Sequence, residues 1–261
     1  MGIINVTPDS FSDGGDFFSL ESALKRAYEL IEEGADLLDI GGLSTRPYSE
    51  PVPEEEEVKR VIPVIKAIRE NFPDIPISVD TYRAKVAELA FNSGADIIND
   101  ISAGRFDSQM IEVLKDTQAP VVIMHMQGTP QTMQINPVYQ DVVREIKEFL
   151  KERAYFFIEK GISPEKIIID PGIGFGKTFE HNLEILRNLE SFHELNFPIL
   201  IGHSRKSFLG EIVKKPPKER DGATVGVSIW AFLKKVHLLR IHRVDLNRDA
   251  LQVLKVLLQR N

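Results

Sequence analysis

Nine residues capable of chemistry stand at or near the ends of short apolar runs: Asn5, Asp39, Asp80, Asn99, His125, Asp170, His203, Arg240 and His242. Polar groups at the ends of buried strands are costly to desolvate unless partnered, so such a ring must satisfy either itself or a ligand. A set of this size favours a site over a hydrogen-bonded plug. Asp80, Asn99 and Asp170 supply acceptors, and a pair of carboxylates facing one ligand suits a planar heterocycle that presents adjacent N–H groups. Arg46, Lys206, Arg240 and His242 supply donors suited to phosphate. Each charge-assisted contact contributes roughly 1.5–3 kcal/mol, so the two halves together select a ligand with a flat polar head and an anionic tail.

The elements that must position these residues are eight apolar runs: 3–5, 37–41, 77–80, 97–100, 121–125, 167–170, 199–203 and 238–242. Between them lie stretches of helical period, such as Leu20, Ala23, Leu24, Ala27, Tyr28 and Ile31, or Val142, Ile146, Phe149, Leu150 and Phe157. Their i, i+3, i+4 spacing turns one apolar stripe toward a sheet. Strand and helix alternating in this way signal βαβ units and a parallel sheet. Glu33–Ile40 and Ser93–Asp100 repeat one pattern, a Gly that ends a helix followed by the approach to a strand.

Eight such units in ~250 residues predict a (β/α)8 TIM barrel with its site at the C-terminal ends of the strands. A doubly wound open sheet has the same periodicity. The barrel is preferred because closure brings all nine polar residues onto one mouth. No low-complexity linker divides the chain, so residues 1–261 read as a single domain. Lys214–Lys218 reads as an exposed loop between the seventh strand and its helix.

Composition narrows the function. The 261 residues carry 32 Lys plus Arg against 39 Asp plus Glu, a net charge of −7, which argues against gripping a nucleic-acid backbone. Cysteine is absent, which excludes disulfides, thiolate nucleophiles and Cys-ligated metal centres. No run approaches the ~20 apolar residues that cross a bilayer, and the basic-then-apolar pattern of a signal peptide is missing. The expectation is a cytoplasmic protein without a membrane partner. The sequence opens directly on a strand, so either the barrel floor is uncovered or the natural chain starts further upstream.

Several familiar signals fail. Gly172-Ile173-Gly174-Phe175-Gly176-Lys177-Thr178 misses a P-loop because position 171 is Pro, and misses the dinucleotide fingerprint because position 177 is Lys. The histidines lack the paired spacing of a zinc site. Ser204 beside His203 is no Ser-His pair, because neighbours on one strand end point apart.

The strand ends also carry longer motifs: 5–15 (NVTPDSFSDGG), 41–47 (GGLSTRP), 170–177 (DPGIGFGK) and 202–206 (GHSRK), with Ser78-Val79-Asp80-Thr81, Asn99-Asp100 and Arg240-Ile241-His242 between and after them. In this order, over essentially the whole chain, they resemble the dihydropteroate synthase family of pterin-binding enzymes. The resemblance implies condensation of 6-hydroxymethyl-7,8-dihydropterin diphosphate with p-aminobenzoate, giving 7,8-dihydropteroate and pyrophosphate, with Mg2+ and a homodimeric barrel.

Carried over position by position, the resemblance makes Asp80, Asn99 and Asp170 the pterin readers, with Lys206 donating to the ring carbonyl side. Ile101, Met124, Phe175 and Gly202 become the walls around that ring. Asn5, Thr45, Arg46, Arg240 and His242 become the diphosphate subsite, with Asn5 the Mg2+ ligand. The loops 9–16 and 44–53 close over the substrates, and Asp13, Thr45, Arg46, Pro47, Ser204 and Lys206 shape the p-aminobenzoate pocket. Asp80, Lys206, Arg46, Arg240 and His242 carry the catalysis, the cations stabilising the departing anion and Asp80 the pterin methylene cation.

Three positions depart from the family pattern. Leu43 stands where Glu is usual, Tyr48 where Gly is common, and Arg243 where Asp follows the last His; the first two bear on how the second loop closes. A corrinoid-linked methyltransferase domain also reads pterins with Asp and Asn, but has no use for Ser-Thr-Arg-Pro, Ser-Arg-Lys and Arg-x-His around a diphosphate. A non-catalytic pterin-binding module is the remaining alternative.

Overall fold

The computed structural model describes residues 1–6, 16–43 and 52–259, with backbone alone at 16–19. Among the described residues, eight parallel strands alternate with helices: β1 (Gly2–Asn5), α1 (Asp16–Glu32), β2 (Leu38–Gly41), α2 (Glu54–Asn71), β3 (Ile77–Asp80), α3 (Ala84–Asn92), β4 (Ile97–Asp100), α4 (Met110–Thr117), β5 (Val121–Met124), α5 (Val142–Glu159), β6 (Ile167–Asp170), α6 (Phe179–Arg187), β7 (Leu200–Ile201), α7 (Ser207–Val213), α8 (Asp221–Leu233), β8 (Leu238–Leu239) and α9 (Val244–Leu258). The helices follow from local chemistry. In α5 the buried residues Val142, Ile146, Leu150, Ala154 and Phe157 form one stripe, and Asp141 caps the start by accepting from the Arg144 amide. The repeat read at 33–40 and 93–100 takes the same form twice: Gly34 and Gly94 sit at positive φ, and the next amides, of Ala35 and Ala95, return to the carbonyls of Leu30 and Ala90.

β1 to β6 form one continuous sheet in chain order, and β7 pairs with β8. Two junctions carry the sheet through a full circle. Ile169 of β6 bridges to Ile199, just before β7. Beyond β8, Ile241 bridges to Gly2 of β1, accepting from the Ile3 amide at 3.1 Å and donating to the Met1 carbonyl at 3.0 Å. An open doubly wound sheet has no such return to its first strand, so the fold is the (β/α)8 barrel.

Register decides which side chains enter the barrel, because successive residues on a strand face opposite ways. Ile3, Asp39 and Ser78 are opposite one another on β1 to β3, as are Asp80 and Asn99 on β3 and β4, and Met124 and Asp170 on β5 and β6. The interior is filled from below by Met1, Leu37, Ile97, Val122, Ile168, Leu200 and Leu238. The alternate residues, among them Ile4, Ile40, Val79, Ile98, Ile123, Ile169 and Ile201, pack outward in the main core beneath the helices.

Two expectations change here. His125 and His203 do not join the mouth. His125 shares the outward face of Val121 and Ile123, with its ring edge-on to Phe149 of α5 at 4.9 Å. His203 follows the inward-facing Gly202 and bonds to Ser228 of α8. Both end a strand, but the two-residue period turns them toward the helices. The Lys214–Lys218 patch is preceded by the short α7 and so lies between two helices rather than directly after β7.

Candidate active site

At the C-terminal mouth, Asp39, Asp80, Asn99 and Arg240 form one network. Arg240 donates from Nε to Asp39 Oδ2 at 2.5 Å and from Nη2 to Asp80 Oδ2 at 2.7 Å. The Asn99 amide nitrogen turns to the Asp39 carboxylate at 3.4–3.5 Å, which leaves its Oδ1 as an acceptor. Asp170 accepts from the Gly172 amide at 2.7 Å through Oδ1. Among the described residues, Asp80 Oδ1, Asn99 Oδ1 and Asp170 Oδ2 receive no hydrogen bond, so the mouth presents three acceptors contributed by three adjacent or nearby strands.

Lys206, half-buried at the start of α7, donates to the Ile173 carbonyl and stands 4.4 Å from the centroid of the Phe175 ring. Ile101, Met124, Met126 and Met133 form a separate buried cluster with Tyr82 and Phe175 packed against it. A polar head pocket thus abuts a flat apolar wall. Gly202 leaves room at the opposite side: a methyl group there would come no closer than 3.8 Å, to Arg240 Cδ.

The loop after β6 is shaped by backbone need. Gly172 has φ +71°, and a Cβ on it would lie 1.9 Å from the His125 carbonyl oxygen, so no other residue fits. Gln134 donates to the Gly174 carbonyl, Tyr139 to the Gly176 carbonyl, and the Asn182 Oδ1 accepts from the Gly174 amide, each at 2.7 Å. Lys177, which closes this loop, is buried and donates to His125 Nδ1 and to the Phe175 carbonyl, each at 2.9 Å. The loop therefore holds Phe175 through a set of hydrogen bonds.

Burial sets the electrostatics. It pushes Asp80 up to about 7, countered by Arg240 and reinforced by the charges of Asp39, Glu57 and Asp100. It brings Lys206 down to about 7, with Asp170 opposing and Arg240 assisting. Asp170 is likewise raised by burial, against Lys206. Against its own burial, Arg240 is held above the ordinary guanidinium range by Asp39 and Asp80. His242 is lowered to about 3 by burial and the nearby arginines 205 and 240, and its Nδ1 lies 2.9 Å from Ser204 Oγ. His242 is therefore a neutral imidazole at physiological pH.

The structure brings together Asp80, Asn99, Asp170, Lys206 and Arg240, with Met124, Ile101 and Phe175 in the adjoining cluster. Ser204 and His242 form their own pair beside them. Asn5 ends β1, opposite Gly41. Asp13, Thr45, Arg46 and Pro47 lie outside the described residues. The feet of the second loop are tied down, since Arg60 donates to the Gly42 carbonyl at 3.2 Å and Arg83 to that of Val52 at 2.5 Å. The sequence places Asp39 in the ring of strand-end groups without a specific role, and leaves Lys177, Met126, Met133 and Tyr82 unassigned. The period of two would have flagged Met126, two residues beyond Met124.

A model of pterin-binding enzymes matches residues 1–242. The chain belongs to the pterin-binding enzyme family. It is 46% identical over 246 residues to the dihydropteroate synthase of Synechocystis sp., an alignment covering 94% of this chain and 85% of that one. Among solved structures, the dihydropteroate synthase of Xanthomonas albilineans with 4-aminobenzoic acid superposes with a TM-score of 0.94 at 42% identity, covering 100% of this chain and 93% of the other. The same organism's enzyme in complex with 7,8-dihydropteroate gives 0.91 at 41%, covering 100% and 94%. In this pterin-binding enzyme no helix of the described residues is long and apolar enough to cross a membrane.

Proposed function

We propose that this chain is a transferase that condenses 6-hydroxymethyl-7,8-dihydropterin diphosphate with p-aminobenzoate, forming 7,8-dihydropteroate and pyrophosphate. The observation that carries the reading is the direct bond between Arg240 and Asp80, which sets an anion-binding guanidinium against a pocket of three acceptors. The similarity to dihydropteroate synthases over nearly the whole chain supports it.

In the reading, Asp80, Asn99 and Asp170 accept from the amino and ring N–H groups of the pterin, Lys206 donates to its carbonyl, and Ile101, Met124, Phe175 and Gly202 surround the ring. Asn5, Arg240 and His242 hold the diphosphate, with Thr45 and Arg46 joining from the second loop. Asp13, Pro47 and Ser204 are assigned with Thr45, Arg46 and Lys206 to the p-aminobenzoate side.

Scission of the pterin C–O bond sends its electron pair to the diphosphate, where Arg240 stabilises the growing charge. The methylene left behind is cationic and conjugated with the ring, and the negative oxygens of Asp80 and Asp170 stabilise it. The aniline nitrogen then forms the new C–N bond and releases a proton to solvent. His242, neutral and bonded to Ser204, acts as a hydrogen-bond donor and not as a fixed charge.

Among the described residues no three His, Asp or Glu side chains stand together as a cation cage. The single amide oxygen of Asn5 nevertheless fits Mg2+, a hard ion that keeps several waters and is bound largely through substrate phosphates. Bound there, Mg2+ would supply Lewis-acid neutralisation of the leaving diphosphate.

The homodimer is part of the same proposal. Leu246, Val253, Val256 and Leu257 form an exposed apolar stripe on α9, with Trp230 and Leu233 exposed on α8; stripes of this kind mark association surfaces. Light scattering should give twice the chain mass, and Leu257→Glu should halve it. Residues 1–261 as one domain, and a cytoplasmic location, complete the reading.

The deciding experiment is pyrophosphate release from the pterin diphosphate with Mg2+, with and without p-aminobenzoate. Release that requires p-aminobenzoate, with dihydropteroate formed in equal amount, is expected. Pterin binding without turnover would identify a binding module instead.

A further inference from the structure

We infer that Asp39 is a positioning residue for the reaction proposed above, aiming the Arg240 guanidinium so that its unused donors face the departing diphosphate. Asp39 is completely buried and lies on the inward face of β2, opposite Ser78 of β3, two residues below Asp80. Its Oδ2 takes the Nε–H of Arg240, while Asp80 takes one N–H of Nη2. These two donors lie on one edge of a rigid planar fork. Anchoring that edge at both ends fixes the plane and its rotation, which a single bond to Asp80 would leave free. Among the described residues nothing binds Nη1, so it is held out as a donor in a set direction.

The alternative is that Asp39 merely completes a stabilising ion pair. A buried ion pair is weak evidence for stability, because desolvation offsets the attraction and apolar groups of similar volume are often as stable. The second effect of Asp39 is also specific to the site. By sharing Arg240, it stops the guanidinium from taking both oxygens of Asp80, whose Oδ1 stays available to the pterin. Asn99 is turned in the same way, its amide nitrogen on Asp39 and its oxygen toward the pocket. One buried carboxylate therefore orients two ligand-facing groups without touching the ligand. No proton passes through it: the electron pair of the broken C–O bond goes to the diphosphate oxygen, and Arg240 remains charged throughout.

The test compares Asp39→Asn, Arg240→Gln and the double variant in p-aminobenzoate-dependent turnover. Asp39→Asn should lower kcat by about 10²-fold while KM for p-aminobenzoate stays within about threefold of wild type. The double variant should be no more than about threefold slower than Arg240→Gln, because the two residues act as a unit. The acid limb of the pH–rate profile should move to lower pH, since one like charge beside Asp80 is gone.

Turnover of Asp39→Asn within about threefold of wild type, or losses that multiply in the double variant, would overturn the inference. Should Asp39→Asn not fold, Arg240→Lys keeps the charge and loses the two-point edge; it should be as slow as Arg240→Gln, and wild-type kcat would refute the aiming role. Wild-type protein without turnover would instead defeat the functional reading. Asp39 is then judged by affinity for inorganic pyrophosphate, which Asp39→Asn must weaken by about tenfold or more if Arg240 is aimed by it.

Discussion

Lys177 Nζ lies 2.9 Å from Nδ1 of His125, and both side chains are buried on the helix side of the barrel. This pair joins the end of β5 to the end of the loop after β6, and through the Phe175 carbonyl it supports the residue proposed above as one wall of the pterin pocket. Lys177→Met keeps the stem and removes the donor, leaving the imidazole nitrogen and a carbonyl unpaired. The expected loss is about 2 kcal/mol or more of unfolding free energy, read from urea denaturation. A loss under about 0.5 kcal/mol would show that the network carries no load.

Gly172 and Gly202 should respond in opposite ways to the same change. Gly172→Ala forces a Cβ onto the His125 carbonyl at a left-handed φ, so it should cost about 3 kcal/mol or more and abolish pterin binding with it. Gly202→Ala meets only ordinary contacts and should change stability by less than about 0.5 kcal/mol. It should still weaken pterin binding by about tenfold, because the methyl occupies the space assigned to the ring. Denaturation and calorimetric titration of the two variants side by side separate fold from pocket.

The buried histidines make the fold acid-sensitive in a calculable direction. His203 bonds through Nε2 to Ser228 and the Thr224 carbonyl, and burial pushes it down to about 4. A depressed histidine contributes stability that is present above the unfolded value near 6.5 and is lost as pH falls through that value toward 4, because the unfolded chain binds the proton first. His203→Gln should therefore flatten the fall in stability between pH 6 and pH 4 by about 1.4 kcal/mol per pH unit. Denaturant midpoints across this range, in both proteins, give the slope; parallel curves would contradict the assignment.

Asp80 and Lys206, each brought to about 7, should make pterin affinity depend on pH near neutrality. Below this range Asp80 gains a proton and loses acceptor capacity; above it Lys206 loses its positive charge and becomes a weaker donor. Pterin affinity should peak near pH 7 and decline on both sides. Asp80→Asn should remove the acid-side decline and leave the alkaline one, as measured by titration calorimetry from pH 5 to 9. An unchanged acid limb would place that titration on another group.

Much of the architecture was legible without coordinates. Short apolar runs separated by stretches of helical period specify alternating strands and helices, and the repeated Gly-Ala-Asp segments mark where α1 and α3 end. The polar strand ends Asp80, Asn99, Asp170 and Arg240 were readable as a site because ionisable groups beside buried strands need partners. Closure was favoured only through the polar strand ends, since periodicity suits an open sheet equally; the pairing itself, between Ile241 and the first strand, joins residues more than two hundred positions apart, about which local pattern carries no information. Nor did residue type reveal which strand-end groups share a face. His125 and His203 resemble Asp170 and Arg240 in sequence, yet a single-residue offset on a strand reverses direction and sends them to the helices. The tertiary structure alone decided that Asp39 would anchor Arg240, because barrel closure, which sets β8 beside β1, brings a side chain from the end of the chain onto one from the second strand.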